Sequence, residues 1–458
     1  MKFKDLFAPV DMTVGNPVSQ IIKFTVPMLL GNIAQQLYNT VDSIIVGRFV
    51  GDDALAAVGT AGPILNLMLV LFIGISIGAS IMVSQYFGAR QREKLSRAIG
   101  CCITLTAFSS VIIMIIGPLI ARPVLSLLNT PVSIIDWSVS YLTIIFLGIA
   151  GGGFYNILGG VLRGLGDSAS ALLYLLVATI LNIILDYTFV AFFGLGVPGV
   201  ALATIIAQFV SAILTFRKLS QMKDLFDMKK EYLKPEKQYS SSLIRLGLPS
   251  GVTQAIISMS MIIVQSLTNS FGPQFIAANV IVMRIDGFVM LPAFSFGTAM
   301  TTYAGQNIGA NKMDRVIKGA KEGTLAAMAI SAVLTVLILI FGKPLMGIFT
   351  KTEELVNISY HMMQILCVGY IAMEVTQCLS GIMRGAGDTV TPMWISIFNS
   401  VIMRVPAAYL LVWLTKTPEN PKGNPAMMFL SLMITWCVGA MLTFIMYRRG
   451  KWRTKAIV

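Results

Sequence analysis

Charge is scarce in this chain: Asp, Glu, Lys and Arg make up only 12% of its 458 residues, where a soluble domain carries roughly a quarter. With 56% hydrophobic residues and a mean hydropathy of +0.79, that scarcity excludes a water-soluble globule and describes an integral membrane protein. Histidine is nearly absent. The single His361 has no acidic or cysteine neighbour, so the chain offers no clustered histidines or nucleophile–base set, and the expectation is that it is not an enzyme and needs no cofactor. Five cysteines, Cys101, Cys102, Cys367, Cys378 and Cys437, lie in or beside apolar runs without metal-ligand spacing and read as small packing residues. Acids are outnumbered, 21 against 34 basic residues, giving a net charge of +13.

That basic excess does not point to a nucleic-acid partner, because of where it falls. Apolar runs of membrane-spanning length occur twelve times, near 20–46, 56–86, 97–121, 137–161, 168–192, 198–216, 244–270, 276–304, 319–341, 356–382, 389–414 and 425–447. Twenty-five basic residues, among them Lys2, Lys4, Arg90, Arg92, Arg217 and Arg448, sit on one side of the alternation, against six on the other. By the positive-inside rule both termini are expected on the cytoplasmic side. The first run is too long and too polar for a cleavable signal peptide.

The chain is also two copies of one plan. At an offset of 221, Ala56-Ala57 falls on Ala277-Ala278, Gln85 on Gln306, Gly88-Ala89 on Gly309-Ala310, and the Arg163-Gly-Leu-Gly-Asp167 turn on Arg384-Gly-Ala-Gly-Asp388. The expected fold is all-α: a polytopic membrane protein with twelve transmembrane helices in two pseudo-symmetric six-helix bundles, residues 1–216 and 244–458, joined by a basic cytoplasmic linker, 217–243. Six is even, so the bundles are parallel repeats, a frequent plan of secondary transporters.

Few charges remain inside the runs. The first run breaks early at Pro27 and carries Gln35, Asn39 and Asp42 on one helical face with Tyr38 beside them. An aspartate at mid-membrane costs roughly 2.5–3.5 kcal/mol on insertion scales and by default marks a functional site. Asp186 lies four residues after Asn182, on the same face of the fifth helix, and Thr204 follows on the sixth. Two carboxylates with amide and hydroxyl ligands and no intramembrane base can bind Na⁺ through oxygen or can hold a proton. At the 221 offset, Asn182 and Asp186 fall on Met403 and Ala407, and Asp42 falls close to Val264, so the second half lacks this constellation. It has Arg284, Asp286, Glu374 and Arg404 instead, read as a charge network or as substrate contacts; Arg284 and Asp286 point to different faces, and each needs a partner on another helix. Twenty-seven methionines and twenty-five phenylalanines offer a deformable lining suited to flat apolar cations.

Taken together, Pro27 with Asp42 fifteen residues later, Val41-Asp42-Ser43 through Gly47, Gln85 through Ala89, Arg163 through Asp167, and Asn182 with Asp186 resemble the multidrug and toxic compound extrusion (MATE) family of the multidrug, oligosaccharidyl-lipid and polysaccharide flippase superfamily. The resemblance implies an antiporter that exports cationic amphipathic compounds against H⁺ or Na⁺ by alternating access, working as a monomer among the lipids of a bacterial inner membrane. It implies that Asp42, Asn182, Asp186 and Thr204 form the coupling-cation site, with Asn156 as a neighbour, and that the first helix bends at Pro27. The run Gly247 to Ser270 departs from the branch with a seventh-helix glutamate, holding only Gln254 and Gln265, while Glu374 lies near that branch's tenth-helix carboxylate. A lipid or lipid-linked saccharide flippase is the alternative; a diphosphate groove calls for several intramembrane bases, and only Arg284 and Arg404 are present.

Overall fold

A computed structural model describes residues 9–128 and 130–458, so Lys2 and Lys4 of the basic count lie outside the described residues. In chain order the helices are α1 (Pro17–Phe49), α2 (Asp52–Gly88), α3 (Arg92–Leu127), α4 (Val132–Leu147), α5 (Ile149–Gly164), α6 (Ser168–Asp186) and α7 (Gly196–Gln221). After these come α8 (Lys237–Ser270), α9 (Pro273–Val289), α10 (Leu291–Gly309), α11 (Met313–Gly347), α12 (Glu353–Gly385), α13 (Val390–Ile397), α14 (Arg404–Leu414) and α15 (Ala426–Arg449). No strand occurs among the described residues.

Each of the twelve apolar runs coincides with one helix or one interrupted helix. Among the described residues, ten spans are long and apolar enough to cross a membrane, and α4 with α5 form an eleventh that bends by 53°. The remaining run is α1, 33 residues long and diluted by its polar stripe. Gly148 makes the bend between α4 and α5: it sits against the side chain of Ile205, where a Cβ has no room. The α9–α10 break falls at Met290, just before Pro292, which has no N–H to continue the ladder. Two further runs are interrupted by single π-turns, Tyr187–Phe192 after α6 and Phe398–Met403 between α13 and α14.

The duplication read at an offset of 221 recurs in the backbone. Positive φ occurs at Gly51 and Gly272, at Arg90 and Asn311, and at Gly166 and Gly387, three pairs at that spacing. Ser138 Oγ donates to the Ala57 carbonyl (3.0 Å), and Ser359 Oγ donates to the Ala278 carbonyl (3.3 Å). Asp167 caps α6 by accepting from the Ser170 N–H (2.8 Å), and Asp388 accepts from the Thr391 N–H (3.2 Å) in the same way.

Helices approach closely where the repeat places small residues. In α5 a Cβ on Gly160 or Gly164 would collide with the carbonyls of Ser76 and Ser80 on α2; in α12 a Cβ on Gly381 or Gly385 would collide with those of Gly297 and Thr301 on α10. These are small-xxx-small contacts, through which helices associate in lipid, where apolar area alone gives no drive. Gly381→Leu is therefore expected to cost about 1–3 kcal/mol by overpacking. The check is a lowered melting temperature of the detergent-purified protein, with Val333→Leu, at an exposed position of α11, as the control that leaves it unchanged.

By its contacts the chain divides into two units. The first gathers the described residues up to Asp11, Val26–Gly251 and Ile457–Val458; the second gathers Met12–Thr25 and Val252–Ala456. In the first, one apolar cluster is built on Phe72, Met82, Tyr86, Leu158 and Leu243 and another on Val46, Leu142, Phe146 and Val200. In the second, Phe275, Ile281, Met363, Tyr370 and Phe429 form the corresponding core. The linker packs within the first unit. Arg92 hydrogen-bonds Asp227 (2.8 Å) and thereby holds its carboxyl below the usual range, and Arg97 pairs with Glu236 and covers the Tyr232 ring. All five cysteines are free thiols, four of them buried.

Candidate functional site

The first unit brings four polar side chains from three helices into one hydrogen-bonded chain, extended by a fifth. Asn182 and Asp186 are fully buried on α6. With its amide oriented to satisfy both neighbours, Asn182 donates from Nδ2 to Asp186 Oδ2 (2.8 Å) and accepts at Oδ1 from the Thr204 N–H of α7 (3.2 Å). The Thr204 hydroxyl lies 3.5 Å from the Tyr38 hydroxyl of α1. One turn further along α1, the Asp42 carboxyl comes close enough to that of Asp186 to share a proton with it. Helical spacing explains why these residues meet: Tyr38 and Asp42 are four apart, as are Asn182 and Asp186, so each helix presents its pair on one face.

The electrostatics of the pair are unusual. Oδ1 of Asp42 and Oδ1 of Asp186 are both buried and without a hydrogen-bond partner. Among the described residues, neither carboxyl has a basic side chain within ion-pair distance. Two touching carboxylates repel, and burial strengthens the repulsion; a shared proton or a bound cation relieves it.

Other residues singled out by sequence fall differently. Asn156 stays out of the chain: its Nδ2 donates back to the Gly152 carbonyl (2.9 Å), and its own carbonyl accepts from Ser76 Oγ (2.6 Å). Gln35 and Asn39 have exposed side chains, so the α1 stripe divides into an exposed part and the inward Tyr38–Asp42 pair. Pro27 lies inside a continuous α1, half-buried.

The second-half charges do not form the expected network of ion pairs. Arg284 is exposed and bridges to neither Glu374 nor Asp286. Asp286 faces the Tyr370 hydroxyl, with Arg404 as its opposing charge beyond salt-bridge range. Glu374 is 2% exposed, and its Oε2 has no partner. The physical reason is the one visible in sequence: Arg284 and Asp286, two apart on α9, diverge, and only Asp286 turns inward.

Two features of the site carry no local sequence signal. Tyr141 of α4, buried at 6% exposure, lies within electrostatic reach of Asp42, Tyr38 and Asp186; as an aromatic in an apolar run it looks like any core residue. The π-turn Tyr187–Phe192 begins directly after Asp186, with Phe193 N–H reaching the Thr188 carbonyl (3.0 Å). Such turns cluster at functional sites because they re-aim a helix face.

Duplicated helical membrane bundles, with two acids from different helices facing each other in the first half and no base beside them, suit a polytopic membrane transporter. The chain belongs to the MATE family: the MatE family model matches residues 27–188 and 249–410, one match per repeat. It is 32% identical to the probable multidrug resistance protein YoeA of Bacillus subtilis (strain 168), over 90% of this chain and 91% of that protein. Its fold is similar to solved structures described as MATE in the straight conformation (TM-score 0.89, 24% identity, 96% of this chain and 98% of that chain) and MATE in the bent conformation (TM-score 0.88, 24% identity, 96% of each).

Proposed function

We propose that the protein is a multidrug exporter that moves amphipathic cations out of the cell in exchange for inward protons, with Asp42 and Asp186 as the proton-binding pair. The observation that carries this reading is the approach of the Asp42 and Asp186 carboxyls, each with a buried, orphaned oxygen and neither with a base. The family membership and the multidrug-resistance relative support the substrate class.

Between the two coupling ions, the hydrogen bonds favour H⁺. A hard cation takes about six oxygen ligands. An Asn182 amide oriented to satisfy both neighbours turns N–H, not oxygen, toward Asp186, and its oxygen is then occupied by the Thr204 N–H. A proton needs only the carboxyl–carboxyl contact already made. If Na⁺ were taken, Asp42, Asp186, Thr204 and a reoriented Asn182 would hold it.

In the cycle that follows, protonation of the pair in an outward-open state removes the charge that attracts a cationic substrate, and α1 bends at Pro27. A proline removes one helix hydrogen bond, so a bend there costs less than elsewhere. Reciprocity requires that a bound substrate weaken proton binding by the same factor. Tyr38, Thr204, Asn182 and Tyr141 position the pair; Asp286, Tyr370, Glu374 and Arg404 belong to the second bundle's structure or its substrate contacts. Both termini lie in the cytoplasm, as the basic loops direct.

The test is efflux of a fluorescent cationic dye from proteoliposomes under separately imposed gradients. A pH gradient is expected to drive efflux and a Na⁺ gradient at equal pH is not; the reverse would move the coupling to Na⁺, and no efflux under either would favour the flippase alternative.

A further inference from the structure

The start of α1 belongs to a different unit from the rest of it. Residues up to Thr25 cluster with the second unit and residues from Val26 with the first, a change of allegiance two residues before Pro27. Burial changes at the same place: Ile21, Phe24 and Thr25 are buried, while Val26, Leu30 and Leu37 are exposed. The helix that carries Asp42 is thus rooted in one unit and does its chemistry in the other.

The root is held by a dense set of hydrogen bonds. Within the second unit, Gln306 Oε1 accepts from the Met12 N–H (2.9 Å), and Asn307 Nδ2 donates to the Met12 carbonyl (3.1 Å). Arg315, in the first turn of α11, donates to the carbonyls of Gly15 (2.8 Å), Met12 (3.1 Å) and Val14 (3.3 Å) while its Nε holds Asn307 Oδ1 (3.0 Å). Lys312 Nζ donates to the Thr13 carbonyl (2.9 Å). A φ of +75° at Gly15 turns the chain so that these carbonyls converge on one guanidinium, and among the described residues no carboxylate pairs with it. Only a planar fork with five donors satisfies several acceptors in this way.

The repeat answers with a matching device. Gln85, the counterpart of Gln306, accepts from the Ile457 N–H (2.8 Å), and Arg92 donates to the linker carbonyls of Lys223 (2.5 Å) and Asp224 (3.0 Å). The linker's helix α8 changes unit between Gly251 and Val252, close to Pro249. Backbone is gripped in the segment before α1 and in the linker that leads to α8, and each of these two helices carries a proline near the point of transfer.

We infer that Arg315 is a positioning residue for export: it anchors the start of α1, so that the helix bends at Pro27 against a fixed end and the bend is not lost in movement of a loose helix end. The inference rests on the reading of α1 as the helix that bends when the Asp42–Asp186 pair takes a proton. It separates two quantities that a purely structural role would move together. Substrate and proton binding happen beyond Pro27 and are unaffected; turnover depends on the anchor.

The experiment compares the natural sequence, Arg315→Gln, Arg315→Lys and Gly15→Val in proteoliposomes, reading the maximal dye-efflux rate under a proton gradient and, on purified protein, the dye dissociation constant. Arg315→Gln is expected to lower the maximal rate about tenfold with the dissociation constant unchanged within about twofold. Arg315→Lys recovers part of the rate, because an ammonium reaches some of the carbonyls but not the whole set. Gly15→Val withdraws the acceptors without touching α11 and reproduces the loss, and the double variant is no worse than either single one. It also carries the comparison should Arg315→Gln fail to fold. A normal rate in Arg315→Gln, a parallel loss of affinity, or additive losses in the double variant overturns the inference. Failure of the export reading is distinct, because it shows as absent gradient-driven efflux in the natural sequence.

Discussion

Asp42→Asn is expected to abolish proton-driven export, by at least about a hundredfold, while leaving the protein folded in the membrane. An amide fills the carboxyl's volume and still donates to or accepts from Asp186, so the contact between α1 and α6 survives. What is lost is ionisation. With asparagine at 42 the pair can never carry two negative charges, so its repulsion, and with it the free energy that a proton relieves, is gone. The amide keeps a polar atom where the partnerless oxygen lies but carries no charge to be desolvated or to repel Asp186, so melting of the purified variant is expected at or above the natural temperature. Loss of transport with undiminished stability separates a coupling role from a structural one; loss of both would show that the pair holds the bundle together.

Pro27→Ala is expected to slow export about tenfold with little effect on dye affinity. Alanine restores an N–H where the helix lacks one and removes the ring's clash with the preceding turn, which favours the unbent α1. One regained hydrogen bond is worth about 1 kcal/mol net, and the cost of bending rises by that amount plus the relieved clash, so the bent population falls roughly tenfold. Initial efflux rates at saturating dye, set against equilibrium binding of the same dye, check this. Pro27 lies two residues past the point where α1 changes unit, so the same substitution probes the joint between anchor and site.

How much of this was legible in the amino-acid order follows from the range of the interactions. The duplication was open to inspection, because a 221-residue offset that aligns the Arg163 and Arg384 turns also aligns the residues needing positive φ, and glycine at 166 and 387 announces that need. The Asp42–Asp186 pair was legible for a different reason: a charge in an apolar run is rare enough to stand out, and four-residue spacing tells which neighbours share its face. Tyr141 could not be found so, since a tyrosine among isoleucines and leucines has no local mark and comes within reach of Asp42, Tyr38 and Asp186 only in the folded bundle. The bend at Gly148 was hidden inside one uninterrupted apolar run, 137–161. Least legible was the rooting of α1, where Met12 meets Gln306 and Gly15 meets Arg315 across some 300 residues of chain; nothing near Met12 foretells its partners.

The second half shows where composition misleads. Two acids and two arginines sum to neutrality, yet Asp286 faces Tyr370, Glu374 keeps an unpartnered oxygen and Arg284 is exposed. Charge balance along a sequence says nothing about pairing in space when helical phase sends neighbours in opposite directions.

The most direct measurement of the central claim, that substrate and proton compete through Asp42 and Asp186, is proton release on substrate binding. Purified protein in weakly buffered solution near neutral pH, titrated with a cationic dye substrate, is expected to release protons in proportion to the sites filled, and Asp42→Asn to release none. Dye binding of the natural protein without proton release would contradict the claim and leave the buried pair a structural contact.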